Sequence, residues 1–294
     1  MNRPLLALLI VVVAFASPAA EPAEQPGIHN FFRATTNVFS GSQPEGAAGF
    51  AALAKLGVKT IISVDGAKPD VELAAKHGLR YIHLPVGYDG MPTNRVMELA
   101  KAAATVEGPI YVHCHHGKHR GPAAVSVICL ANAGWSVAQA EAFMQKAGTG
   151  VEYQGLYGAA REFKAPTAQQ LAAVSTNFPS VAKTSSLVDA MVAVDRIFEN
   201  LKLVRAAGWR TPANHADLTP AHEALMLQEQ FSEIERMPEV ARSSADFQAK
   251  LRAASLVSRA LRQRLDAPEA NQHEAAFKSL GQSCTECHTR HRNS

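Results

Sequence analysis

The chain is poor in cysteine and carries no surplus of either charge, and both shortages narrow the field before any motif is read. Its four cysteines, at 114, 129, 284 and 287, invite a disulfide reading in an exported protein, but their spacing speaks against one. The formal charge of +3 over 294 residues gives no basic surplus of the kind nucleic-acid binding requires, so nucleic acid is not an expected partner. Beyond the first twenty residues no apolar run approaches spanning length, and neither an internal repeat nor a low-complexity tract occurs. Disorder is excluded in turn, because 47% of the residues are apolar and the length suffices for two ordinary domains, each with its own core.

What is present begins with residues 1–20, which have the form of a signal peptide. Arg3 gives the positive start, an apolar run covers 5–16, and Ser17, Ala19 and Ala20 are small residues suited to cleavage. The run is too short to span a bilayer, a retained membrane anchor being the alternative, so the mature protein is expected to be periplasmic or secreted, with no stable membrane span.

From about residue 36 to 165, short apolar runs alternate with helical stretches. Strands are expected at 58–64, 81–86 and 110–114, and helices at 46–56, 69–77, 93–106, 121–133, 136–147 and 152–163. That alternation predicts an α/β domain with a mostly parallel sheet over 27–165. Past Ala165-Pro166 the strand signals stop, a connector covers 166–180, and everything from 181 to 294 reads as helix. Leu187, Met191, Val194, Phe198 and Leu201 share one helical face, as do Phe247, Leu251 and Ala254, with Leu261 and Leu265 continuing it. With 219–236 between two prolines and a last stretch from 269, these predict an all-α four-helix bundle.

The segment Tyr111-Val112-His113-Cys114-His115-His116-Gly117-Lys118-His119-Arg120-Gly121 follows an expected strand and opens an expected helix. Backbone N–H groups converging at a helix N-terminus form a cradle for an anion, and the same field favours a thiolate over a thiol. Arg120 returns from the far end of the loop with a planar fork for two phosphate oxygens. Gly117 allows a backbone approach that a side chain would block. Asp89, in the loop after the second strand, is positioned as a proton donor; Asp65, which also ends a strand, competes for that role or forms a simple turn. His115, His116, Lys118 and His119 are expected to give the rim a pH-dependent positive charge for acidic substrates rather than to bind a metal.

Over 37–163 this chain resembles the dual-specificity branch of the protein tyrosine phosphatase superfamily, with His113, Cys114, Gly117 and Arg120 matching its His-Cys-x-x-Gly-x-x-Arg signature. The resemblance implies in-line attack by Cys114 on a phosphomonoester, a cysteinyl-phosphate, an acid at Asp89 and a catalytic His113. It also implies that residues 115–119 bind the substrate phosphate. One departure stands out: the family carries Ser or Thr after the arginine, where this chain has Gly121.

Cys284-Thr285-Glu286-Cys287-His288 is the attachment pattern for one covalent haem c, in which two thiols bond the vinyl groups and His288 ligates the iron. On a helix the three side chains share a face that Phe277 and Leu280 extend. Cys129 reads as a small buried hydrophobe. A haem motif on the last of four helices resembles the cytochrome c prime family, whose usual basic residue is matched by Arg292, while His291 replaces its usual aromatic. Met191 is the first candidate for the opposite side of the iron and His222 the second; with neither, the iron is open to small gases.

The expected function is therefore an exported cysteine-dependent phosphatase with a haem domain that regulates it or is merely tethered to it. Two alternatives stay open: an electron-transfer or gas-binding cytochrome with an inactive oxyanion-binding module, and a persulfide or sulfur-transfer enzyme. A phosphorylated substrate, a periplasmic redox partner and a second copy of the chain are the expected partners.

Overall fold

The computed structural model describes residues 21–183, 186–265 and 270–291, so the segment expected to be a signal peptide, 1–20, and Arg292 lie outside the described residues. One six-stranded sheet organises the N-terminal half. Its strands are β1 (Glu21–Pro22), β2 (Phe32–Arg33), β3 (Val38–Gly41), β4 (Thr60–Ser63), β5 (Arg80–His83) and β6 (Ile110–His113), in the spatial order β1-β2-β3-β6-β4-β5. The last four places in that order are parallel, while β1 and β2 add an antiparallel edge. The mostly parallel sheet expected from the sequence is present, and β1, β2 and β3 are additions to it.

Both faces of the parallel part are covered, which is why its strands read as unbroken apolar runs. Successive side chains point to opposite faces. Ile61 of β4 and Tyr111 of β6 therefore pack with Phe50 and Leu53 of α1 (Gly46–Lys55), and with Ala74 of α2 (Val71–Lys76). Ile62 and Val112 point the other way, into a core shared by Leu99 of α3 (Thr93–Thr105), Val125 and Ile128 of α4 (Arg120–Asn132), Phe143 of α5 (Val137–Lys146) and Leu156 of α6 (Gln154–Arg161). Helix α4 is central: each residue from Arg120 to Cys129 is buried. Cys129 lies wholly within this core, and burial pushes its thiol up to about 12.

The connector is tied down. Helix α7 (Ala168–Ala173) packs on α3, and Phe178 enters the N-terminal core. The Pro179 carbonyl accepts a hydrogen bond from the His83 amide at 2.8 Å, and the Ala182 amide donates to His83 Nδ1 at 3.1 Å.

The C-terminal region is helical, with α8 (Leu187–Ala206), α9 (Pro220–Glu235), α10 (Pro238–Ala241), α11 (Ala245–Leu265) and α12 (Ala270–His291). Pro220 and Pro238 each occupy a first helical turn, where the missing N–H costs nothing. Helix α8 packs on α9, α9 on α11 and α11 on α12. Leu201, Leu227, Phe231, Ile234, Leu251 and Leu280 form part of their common core. Helix α9 has a second partner, because Leu225 and Met226 on its other side join the core of the N-terminal half. Among the described residues no helix is long and apolar enough to cross a membrane.

Candidate active site

Strand β6 ends at His113, and the next six residues form a loop that closes at Arg120, the first residue of α4. Cys114 therefore leaves the carboxyl end of a central parallel strand, beside the N-terminus of a buried helix, where amides converge on an anion. Its side chain is 3% exposed. The loop is held from outside: Asn30 Nδ2 donates to the carbonyls of Gly117 and Ala147, and Thr149 Oγ1 donates to the Lys118 carbonyl at 2.7 Å. Gly117 has φ +69°, and a Cβ there would run into the backbone of Gly41 and Ser42. Glycine is thus demanded by the packing of the loop on β3 as well as by its backbone conformation.

His113 lies beneath the loop, 1% exposed, with Nε2 paired to the Tyr81 hydroxyl at 2.6 Å and Nδ1 directed at the Cys114 carbonyl. Burial pushes it down to about 4, and its two ring contacts hold the start of the loop in place. The histidines of the rim, expected to carry a pH-dependent positive charge, are lowered in the same direction. Burial first, then Arg236, lowers His115 to about 4, and burial with Arg120 lowers His119 to about 4. His116 is lowered as well, by burial and Arg236. Partial cover and the nearby guanidinium groups both disfavour the charged imidazole. The His119 ring lies over Tyr153 at 4.2 Å, while His116 and Lys118 are exposed.

Arg120 is the most constrained group of the site, 2% exposed. Tyr88 covers its guanidinium at 4.2 Å, a cation–π contact. Nη2 lies 3.5 Å from Asp65 Oδ1 and 2.7 Å from Glu233 Oε1 of α9, while Nε is buried with no hydrogen-bond partner. Asp65 is gripped in turn by both arms of Arg236, at 2.9 and 3.0 Å. Burial alone would raise Asp65, but Arg120 and Arg236 outweigh it and hold the carboxyl well below the usual range. Glu233 moves the other way: burial raises it, the Arg120 charge offsets part of that, and the Asp65 charge adds to the rise. Asp65 is therefore a fixed anion that orients two arginines, and it withdraws from the competition for proton donor. Asp89 is exposed and lines the same cleft as Arg120.

Position 121 explains what the missing hydroxyl would reach. A Cβ on Gly121 would stand 3.5 Å from Cys114 Sγ and 3.2 Å from its amide nitrogen. A side chain there faces the thiol directly, so glycine withholds a donor from the sulfur.

The haem-pattern residues fall on α12. Cys284 and Cys287 are free thiols, Cys287 8% exposed, and burial raises both. His288 is exposed and has no hydrogen bond among the described residues. One to two turns earlier, Phe277 stacks on Phe198 of α8 at 4.8 Å, and Gly281 faces that same Phe198 ring. Met191 packs, half-buried, against the helical core. His222 lines the cleft toward Arg120 instead. The end of α12 is pinned to the start of α11 by His291 Nε2 and Asp246 Oδ2 at 2.7 Å.

Sequence reasoning passed over Glu233, Arg236 and Tyr88. The first two occupy the polar face of an amphipathic stretch and read as a solvated surface; no local signal marks them as site residues.

Comparison with known proteins bears on the N-terminal half. The family model described as "DSP-PTPase phosphatase fused to NAD+ Kinase" matches residues 24–155. The dual specificity protein phosphatase TpbA of Pseudomonas aeruginosa (strain UCBPP-PA14) is 30% identical over 138 residues, which are 46% of this chain and 62% of that protein. TpbA of strain PAO1 is also 30% identical, over 141 residues that cover 47% and 63%. The chain thus spans less than two thirds of these curated relatives. Among solved structures, P. aeruginosa TpbA aligns with a TM-score of 0.44 at 26% identity, covering 50% of this chain and 92% of that one. Human DUSP28 aligns at 0.35 and 20%, covering 49% and 97%. Residues 24–155 are thus similar to the dual-specificity phosphatases of the protein tyrosine phosphatase superfamily.

Proposed function

We propose that the protein is a cysteine-dependent phosphomonoesterase, exported, whose C-terminal helices form a bundle carrying one covalent haem c. The observation that carries the phosphatase reading is the loop itself. It sets Cys114 at a strand end and a buried Arg120 at the helix start, with the guanidinium Nε–H lacking an acceptor among the described residues. Cys114 Sγ attacks phosphorus in line, the P–O bond to the leaving group breaks, and Asp89 gives its proton to the departing oxygen. Arg120 and the loop amides hold the charge that spreads over the equatorial oxygens. Water then attacks the cysteinyl-phosphate, the P–S bond breaks, and phosphate leaves. With Gly121 in place no hydroxyl steadies the sulfur in this second step.

The α12 residues fit a covalently attached haem. Two unpaired thiols three residues apart precede an exposed, unengaged histidine, and the Phe198/Phe277 pair offers an apolar wall nearby. Cys284 and Cys287 would hold the group, His288 would ligate its iron, and Arg292 and Met191 remain proposed neighbours. Bound haem supplies one-electron transfer or gas binding. Redox control of Cys114, a periplasmic redox partner and a homodimer belong to this proposal.

A second reading, a cytochrome with an inactive oxyanion-binding module, is favoured by Gly121 and by the carboxylate already on Arg120. Hydrolysis of an aryl phosphate by the full haem-loaded chain decides between them. Activity lost in Cys114→Ser and reduced in Asp89→Asn supports the phosphatase; an inactive parent with an intact haem spectrum supports the second reading.

A further inference from the structure

Beside the phosphate loop lies a cleft of about 700 Å³ whose far wall is helical. From that wall Glu233 reaches the arginine on which the phosphatase reading depends. Its Oε1 is 2.7 Å from Arg120 Nη2 and 2.6 Å from Arg236 Nη2. Its other oxygen, Oε2, lies against Gly66, where a Cβ would come within 2.5 Å of it. Gly66 thus leaves room for the carboxylate. The side chain is 19% exposed, against 2% for Arg120.

A carboxylate presents two anionic oxygens to a guanidinium fork, as a phosphate does. An oxyanion arriving at Arg120 finds Nε without a partner but Nη2 already engaged. It must displace Glu233 or bind against a like charge. Glu233 is not on a free tail. Phe231 and Ile234 fix α9 in the helical core, Leu225 fixes it in the N-terminal core, and the Tyr153 hydroxyl bonds Glu229 one turn earlier at 3.0 Å. Arg236 completes the clamp by holding Glu233 and Asp65 together.

We propose that Glu233 is a built-in competitor for oxyanions at Arg120, so that helix α9 keeps the phosphate loop closed until the carboxylate moves aside. The inference rests on the phosphatase reading only in taking Arg120 as the phosphate ligand. Occupancy of Arg120 is intramolecular, so the competitor's effective concentration is fixed by the packing of α9 and does not depend on dilution.

The test is calorimetric titration of the full chain with inorganic phosphate, comparing it with Glu233→Gln, which keeps the shape and removes the charge. Removing a charge-assisted competitor is expected to tighten phosphate binding by on the order of tenfold or more. Glu233→Asp, which keeps the charge but shortens the reach, is expected to give a smaller tightening and serves if the glutamine variant does not fold. Phosphate affinity that is unchanged, weaker or unmeasurable in the folded variants overturns the proposal. Tighter phosphate binding without aryl phosphate hydrolysis retains the competitor and removes the phosphatase. Hydrolysis by the parent with unchanged phosphate affinity in the variants does the reverse.

Discussion

Cys114 and Cys287 are both nearly buried, 3% and 8% exposed, yet their surroundings differ in kind. Around Cys114 the chain supplies an arginine with its own counter-ions, a neutral histidine below and amides at a helix start. Around Cys287 it supplies a second thiol, an exposed histidine whose side chain has no hydrogen-bond partner among the described residues, and an aromatic pair formed by Phe277 of α12 and Phe198 of α8. An anion site made from backbone and guanidinium groups is finished by folding alone, so structure displays it. The proposed haem site, which a covalent cofactor would complete, shows mainly as spacing, so sequence displays it better. Glu233 and Arg236 tie the two regions together: both lie at the end of α9, whose opposite side is helical core.

The sharpest way to separate the two regions is to remove the α12 thiols. The Cys284→Ser/Cys287→Ser double variant is expected to lose all covalently held haem, read as haem staining in a denaturing gel, whereas Cys114→Ser should lose none. Next in size, Arg120→Lys is expected to lower kcat/KM for an aryl phosphate by roughly 10²–10³, because an ammonium cannot replace a planar fork. Haem content should stay unchanged.

The tie between the regions is tested by Arg236→Leu. It strips the two short bonds from buried Asp65 and is expected to cost about 3 kcal/mol in denaturant unfolding. No loss would mean that the two halves do not meet as the structure has them. A smaller effect concerns pH. His113 in the folded protein has a pKa near 4, against 6.5 ordinarily. The unfolded chain therefore binds a proton between about pH 6.5 and 4 that the folded chain refuses, and stability falls as pH drops through that window. Asp65 acts in the same direction over a more acidic window: a depressed carboxyl stabilises the fold above its unfolded range, and that contribution is lost only in stronger acid. Melting temperature is thus expected to fall between pH 7 and 5, and more shallowly in His113→Gln. The smallest effect is expected from Gly121→Ser. Its hydroxyl would face Cys114 Sγ after a shift of a few tenths of an ångström, raising steady-state turnover by up to about tenfold if dephosphorylation limits the rate.

The parallel strands and the phosphate loop were legible because their signals are local. A doubly buried strand is a continuous apolar run, and a loop between strand and helix must show its glycine, cysteine and arginine at fixed spacing. Strands β1 and β2 went unread because each has only two residues, and β3 because Val38-Phe39-Ser40-Gly41 is too short to stand out from its flanks. The downward shifts of the loop histidines were not legible, since spacing gives proximity but not burial, and burial decides the direction. Glu233 and Arg236 escaped for a further reason. They are distant in sequence from Asp65 and Arg120, and a charged helix face toward solvent is written the same way as one toward another domain.

The central claim is that Cys114 carries the phosphoryl group, and rapid quenching of the haem-loaded chain during turnover of an aryl phosphate, followed by peptide mass spectrometry, tests it most directly. The account predicts a phosphoryl adduct on the peptide containing Cys114, formed with a stoichiometric burst of the phenol and enriched because Gly121 gives the sulfur no hydrogen bond. Phenol release that proceeds without that adduct, or that survives Cys114→Ser, would contradict it.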